Sequence, residues 1–245
     1  MGMSTQKNDL TGRTALVTGA TAGIGRAVAR QLAARGADVV VHGRDAGRGA
    51  EVVREIGGRA RFVGADLTDA DEVGRLAAAA GDVDILVNNA AVSDTARIAD
   101  LTLADLNRVM TVNFTFPLLL IRDATPLLRD HGRIINISTV NTVLPGPGLA
   151  LYCASKAALE QITAVAAREL GPRGITVNTV SPGATDTDML RGANSPEALA
   201  YFAGANALQR LGEPDDVAAV VAMLAGPDAR WITGQNIRAS GGLVV

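Results

Sequence analysis

Short runs of β-branched and aliphatic residues alternate along the chain with longer segments whose apolar positions recur every three or four residues. The runs at 14–18, 38–41, 61–64, 85–88, 133–138, 176–181 and 236–239 are too short for helices. Most carry apolar residues on consecutive positions, which predicts strands buried on both faces. Helices are predicted between them: over 25–35 closed by Gly36, over 47–56 closed by Gly57 and Gly58, and over 71–80. A long helix is predicted from about 103 to 128 with a bend near Pro117, and others over 152–170 and 215–224. Buried strands separated by helices make an α/β chain whose parallel sheet is covered on both faces. Right-handed crossovers then give a doubly wound sheet that binds ligands at the carboxyl ends of its strands.

Composition narrows the picture. In 245 residues, 48% are apolar and only 3% aromatic, so small aliphatic side chains must fill a sizeable core. No Pro/Ser-rich linker or charge run divides the chain, which predicts a flexible terminus over 1–9 and a single domain over 10–245. A net charge of −2 without a basic cluster excludes a nucleic-acid footprint. The lone Cys153 rules out an internal disulfide, and no apolar run approaches the ~20 residues of a membrane span. A cytoplasmic protein is therefore expected. His42 and His131 have no partners at metal-ligand spacing, so no metal is expected.

Two places carry chemistry. The first strand is followed directly by Gly19-Ala20-Thr21-Ala22-Gly23-Ile24-Gly25, which opens a helix. Glycines let backbone approach a pyrophosphate, and a helix N-terminus favours its charge. At the end of the second strand stands His42-Gly43-Arg44-Asp45. Arg44 there would neutralise a 2′-phosphate, whereas Asp45 would accept from ribose hydroxyls. Gly43 followed by Arg44 favours NADP(H) over NAD(H).

The second place is Lys156. The chain has two lysines, Lys7 and Lys156, and Lys156 lies four residues after Tyr152, on the same face of a predicted helix. A unit charge ~4 Å from a phenol, at an effective dielectric of about 20, is worth about 4 kcal/mol. That would bring a tyrosine pKa of ~10 down towards neutrality, where a phenol serves as general acid or base.

In order along the chain come the segment 18–25, Asp66, Asn88-Asn89-Ala90-Ala91, Asn113, Asn136-Ile137-Ser138-Thr139, Tyr152-x3-Lys156, Ser181-Pro182-Gly183 and Gly234-Gln235 with Gly241-Gly242. Over about 10–242 this resembles a compact, single-domain short-chain dehydrogenase/reductase with a Rossmann-type sheet. The resemblance implies hydride transfer between a nicotinamide and a ketone or secondary alcohol, with Tyr152 as general acid/base. Lys156 would bind the nicotinamide ribose, and Asn113 would hold a relay water. The family's usual serine position is Thr139 here; Thr139, or alternatively Ser138, would polarise the substrate oxygen.

Gly19, Thr21, Ala22, Gly23, Ile24 and Gly25 would hold the pyrophosphate side of the cofactor. Asp66 and Leu67 would meet the adenine, Asn89 and Ala90 the adenosine ribose, and Pro182, Gly183, Thr185 and Thr187 the nicotinamide. A lid over 189–210 and a wall of Val143, Leu144, Pro145 and Leu149 would close an apolar substrate pocket. The resemblance also implies a homotetramer built on the 103–128 helix and the one after Tyr152, with the 241–245 tail at a second interface. The substrate is read as a small carbonyl or alcohol. A 3-oxoacyl acyl-carrier-protein substrate, docked through Arg129 and Arg173, is the alternative. A catalytically silent dinucleotide-binding sensor or scaffold is the reading from a different class.

Overall fold

The computed structural model describes residues 9–93 and 95–244; Lys7 with the rest of 1–8, Asp94 and the final Val245 lie outside the described residues. The strands are β1 (Thr14–Val17), β2 (Asp38–Gly43), β3 (Ala60–Gly64), β4 (Val83–Asn88), β5 (Leu128–Ile137), β6 (Thr176–Pro182) and β7 (Asn236–Ala239). All pair in parallel in one sheet, in the order β3-β2-β1-β4-β5-β6-β7. The chain reverses direction across the sheet between β1 and β4, and their carboxyl ends open the crevice where such sheets bind ligands.

Helices α1 (Gly23–Ala34), α2 (Ala46–Ile56) and α3 (Ala70–Ala80) connect the first four strands. Then come α4 (Leu103–Met110), α5 (Phe116–Ala124), α6 (Ala150–Leu170), α7 (Asp188–Ala193), α8 (Pro196–Ala205) and α9 (Pro214–Ala225). Two apolar layers result. Val17, Ile85 and Ile135 face Val28, Leu32 and Val221 of α1 and α9, while Leu16, Leu86 and Ile134 face Leu76, Leu120 and Leu170 of α3, α5 and α6. Alternate residues of each strand thus enter opposite layers, which is why the strands read as unbroken apolar runs. Each buried aliphatic side chain contributes ~1.5–3 kcal/mol. Among the described residues no helix is long and apolar enough to cross a membrane.

One expectation needs correcting. The predicted 103–128 helix is α4, a π turn over Thr111–Thr115, then α5, and it stops at Ala124. Pro126 has no N–H to extend the ladder, and Leu128 already begins β5. There Val83 faces Leu128 but Ile85 faces Arg133, so 129–132 bulge out, with His131 at φ 62°. Asp9, the last residue of the expected flexible terminus, is ion-paired with Arg35, whose Nε donates to it over 2.8 Å. The expected lid over 189–210 is mostly helical, as α7 and α8, neither of which buries a residue.

Candidate active site

The glycine loop is held from beneath. Gly19 sits at φ 62°, a left-handed conformation that favours glycine. A Cβ on Gly25 would lie 2.2 Å from the Gly19 carbonyl oxygen and 2.4 Å from Asn89 Nδ2, so no larger residue fits. Thr18 Oγ1 accepts from the amides of Asn89 (3.0 Å) and Ala90 (3.1 Å). Asn89 Nδ2 returns bonds to the carbonyls of Thr18 (2.9 Å) and Gly19 (3.2 Å). The structure therefore places Asn89 and Ala90 as pins of the loop. The loop's amide at Gly19 also donates to His42 Nδ1 over 3.3 Å, a contact the sequence reading missed. Its one available signal was a histidine at the carboxyl end of a buried strand beside the glycine motif.

At the carboxyl end of β2, Asp45 is the N-cap of α2, accepting from Arg48 N over 3.0 Å. Arg44 is left as the exposed basic side chain there. Asp66 Oδ1 accepts from the amide and hydroxyl of Thr68, both at 2.9 Å. Those bonds, with a smaller contribution from the charge of Arg44, hold its carboxyl below the usual carboxylate range. Leu67 points into the core beneath α3. Thr21 packs against Gly43, where a Cβ would come within 2.6 Å of the threonine methyl.

The segment expected to meet the nicotinamide is brought to the same loop. Pro182 ends β6 opposite Ala239, and Gly183 N donates to Ala239 O over 3.0 Å. Thr185 Oγ1 donates to Gly183 O over 3.0 Å, and Thr187 Oγ1 caps α7 by accepting from Leu190 N over 3.2 Å. The Thr187 methyl lies 3.2 Å from where a Cβ on Gly23 would stand. Asp186 N donates to Gly212 O (2.8 Å) and Gly212 N to Ala184 O (2.9 Å), which staples the neck of the 189–210 segment.

Tyr152 and Lys156 lie on α6, facing the end of β5. The Thr139 hydroxyl lies on the Tyr152 side of this junction, near enough to lower the phenol's pKa. Lys156 is 2% exposed, and its Nζ donates to the Ile137 carbonyl over 2.7 Å. The ammonium stands 6.0 Å from the Tyr152 ring centroid. The expected downward pull on the phenol is outweighed in the fold. Burial raises the Tyr152 pKa to about 12 against a smaller lowering by Thr139. Burial likewise lowers Lys156 to about 8, partly opposed by Glu160. Desolvation outweighs the attraction because the ammonium is directed at a carbonyl rather than at the phenol oxygen.

Ser138 is turned the other way, donating to Glu160 over 2.6 Å. Of the two candidate hydroxyls, only that of Thr139 meets Tyr152. Asn113 is fully buried in the π turn, and its side chain is spent on structure. Its Oδ1 accepts from Val92 N (2.9 Å), while Nδ2 donates to Val92 O (2.8 Å) and Ser155 Oγ (3.0 Å). Its backbone carbonyl has no α-helical N–H partner, since Pro117 four residues on carries none.

These residues fit a dinucleotide. Ala22 at the N-cap of α1 supplies no side-chain bond, so the first-turn amides remain available to an anion. Lys156 carries three donors and bonds Ile137 with one.

A family model described as Enoyl-(Acyl carrier protein) reductase matches residues 19–244. The 3-oxoacyl-acyl-carrier-protein reductase FabG of Rickettsia conorii is 36% identical over 239 residues, covering 97% of this chain and 99% of the relative. The angucycline C-6 ketoreductase LanV, solved with bound NADP, is 42% identical with a TM-score of 0.92, covering 96% of this chain and 97% of that one. A solved short chain dehydrogenase/reductase family protein is 43% identical with a TM-score of 0.91, covering 96% and 98%. Similarity of this extent spans both the glycine loop and the Tyr152–Lys156 helix, and the chain belongs to the short-chain dehydrogenase/reductase family of oxidoreductases.

Proposed function

We propose that this protein is an NADP(H)-dependent reductase of a small apolar ketone, running in reverse as a secondary-alcohol dehydrogenase. The observation that carries this reading is the Tyr152 phenol with the Thr139 hydroxyl near it and a buried Lys156, 6.0 Å from the Tyr152 ring centroid, with donors to spare. When bound, the nicotinamide supplies the hydride. Thr139 and Tyr152 then hold the substrate oxygen between two hydroxyls, where negative charge develops as the carbon is reduced. Tyr152 gives its proton to that oxygen, completing the alcohol. A phenol raised by burial stays protonated at neutral pH, which suits the acid role in reduction. In oxidation the same oxygen must take the proton, and Lys156, with the oxidised cofactor's positive charge, would stabilise the phenolate. Lys156 also passes the replacement proton inward, with the Asn113 carbonyl as the site of a linking water.

For the cofactor, Arg44 stands free where Asp45 is committed to its cap, which favours a 2′-phosphate, and LanV was solved with NADP. For the substrate, Arg129 is paired with Asp84 (2.8 Å) and Arg173 with Asp130 (2.8 Å). Both lie at the amino end of β5, opposite Thr139, so neither serves to dock an acidic carrier at this site. That argues against an acyl-carrier-protein substrate. Leu103 and Leu106 on α4, Leu118 on α5 and Ile98 in the turn before α4 are exposed apolar side chains, which a second copy in a homotetramer would cover.

The test is NADPH-dependent turnover across a panel of ketones. Tyr152→Phe should lower kcat by about 10²–10⁴-fold while NADPH binding stays nearly intact. Undiminished turnover in that variant removes Tyr152 from the reaction; cofactor binding without turnover in the parent leaves the sensor reading. Arg44→Ala should narrow the NADPH/NADH affinity ratio about tenfold. An unchanged ratio takes Arg44 out of the phosphate site.

A further inference from the structure

We propose that His42 is a positioning residue of the dinucleotide site: its neutral imidazole ties the glycine loop to the adenine-side turn, and protonation releases that tie, weakening dinucleotide binding in acid. The proposal rests on the reading that this loop holds a dinucleotide.

Two successive loop amides are held by this one residue. Gly19 N donates to His42 Nδ1 over 3.3 Å, and Ala20 N donates to the His42 carbonyl over 2.8 Å. On the other side of the ring, Nε2 lies 3.2 Å from the carbonyl oxygen of Ala65. Ala65 immediately precedes Asp66 and Leu67, so the imidazole links the phosphate end of the site to its adenine end.

These partners select one tautomer. A backbone amide can only donate and a carbonyl can only accept, so Nδ1 is bare and Nε2 carries the hydrogen. An imidazolium has N–H on both nitrogens and would face the Gly19 amide donor against donor. The ring is 1% exposed and lies against the Phe116 ring, with centroids 6.4 Å apart at 20°, so water cannot readily replace the lost bond.

The charged groups around the ring do little to favour its protonation. On α3, the Glu72 carboxylate faces it, but that group accepts from Asp66 N (2.8 Å) and pairs with Arg75 (3.1 Å). The glycine loop offers only backbone amides at Gly19 and Ala20, and α5 offers the uncharged Phe116. Arg44 on the β2 side and Asp66 after β3 are exposed to solvent. Burial holds the histidine below its ordinary value of 6.5, more than Ala65 and Glu72 raise it. The sign follows. A depressed folded value means the tie is intact above pH 6.5 and is lost as pH falls below that through the lower folded value.

Dissociation constants for NADPH and NADH, read from nicotinamide fluorescence between about pH 5 and 8, test this in the parent, His42→Asn and His42→Leu. NADH is included because the 2′-phosphate of NADPH itself titrates in this range. Asparagine places an amide oxygen near the Nδ1 position and does not titrate. The parent should lose affinity for both dinucleotides in acid, and His42→Asn should hold a flatter profile. His42→Leu should bind about fivefold to tenfold more weakly at pH 8, the scale of one or two neutral hydrogen bonds. If His42→Leu fails to fold, the parent's imidazole ¹⁵N shifts still decide the tautomer, which should be Nε2–H without cofactor. Parallel pH profiles in the parent and His42→Asn, or the Nδ1–H tautomer, overturn the role of His42. A parent that binds neither dinucleotide sinks the proposal together with the reading beneath it.

Discussion

The wall built by the ends of β1, β2 and β4 is tied by hydrogen bonds among Thr18, Gly19, His42 and Asn89, whereas the wall built by α7 and α8 buries none of its helical residues. The two meet where the Thr187 methyl lies beside Gly23. On the first wall, backbone amides and carbonyls are fixed before any ligand arrives, so little ordering cost remains at binding. The second is stapled at its neck by Gly212 and otherwise held loosely. Such a division suits a constant partner on the tied side and varied substrates under the loose one.

Substitutions can break or sharpen that contrast. The largest effect is expected at Gly25, where a Cβ meets backbone rather than a side chain that can move. Gly25→Ala should cost about 3 kcal/mol in denaturant unfolding and weaken dinucleotide binding more than tenfold. Tolerance of alanine there would mean the loop is not rigid.

Lys156 comes next, with the opposite sign. Its folded value near 8 lies below the ordinary 10.5, so the buried charge is a cost at neutral pH that vanishes as pH rises from about 8 to 10.5. Lys156→Met should therefore raise stability by about 1–3 kcal/mol at pH 7 while weakening cofactor binding, and the parent's gain between pH 8 and 10.5 should disappear. A variant less stable than the parent would show that Glu160 and Ile137 fully compensate the charge.

The smallest effect is expected on the loose wall. Tyr201 is 72% exposed, and Tyr201→Ala should shift stability by less than about 0.5 kcal/mol, with any change appearing in KM. A large loss of stability would show that α8 is packed after all.

The sequence revealed β1, β2 and β4 well because burial on both faces leaves unbroken apolar runs; β7, half-exposed, is found over the predicted residues without such a run. It failed where periodicity misleads. Apolar residues continue through Leu127 and Leu128, so the helix seemed to run on past Pro126. The α7 and α8 helices have no buried stripe and left no pattern to read. The chemistry was visible as residue types but not as directions. Ser138 and Thr139 are adjacent, and only the alternation of side chains along an extended backbone sends one to Glu160 and the other to Tyr152. The phenol's basicity was misjudged because spacing exposes a neighbouring charge but not the loss of water around it. His42 meets Gly19 from 23 residues away, a distance that no local pattern spans.

The turn at Thr111–Thr115 closes a bond from Phe116 N to Thr111 O, one residue wider than an α turn. It acts as a single-residue insertion carried inside a helix. Removing any one of those five residues would let the helix close as ordinary α and rotate one side against the other by about 100°. The clasp of Asn113 on Val92 and Ser155 would then be swung out of reach, although the shortened chain would look just as helical on paper.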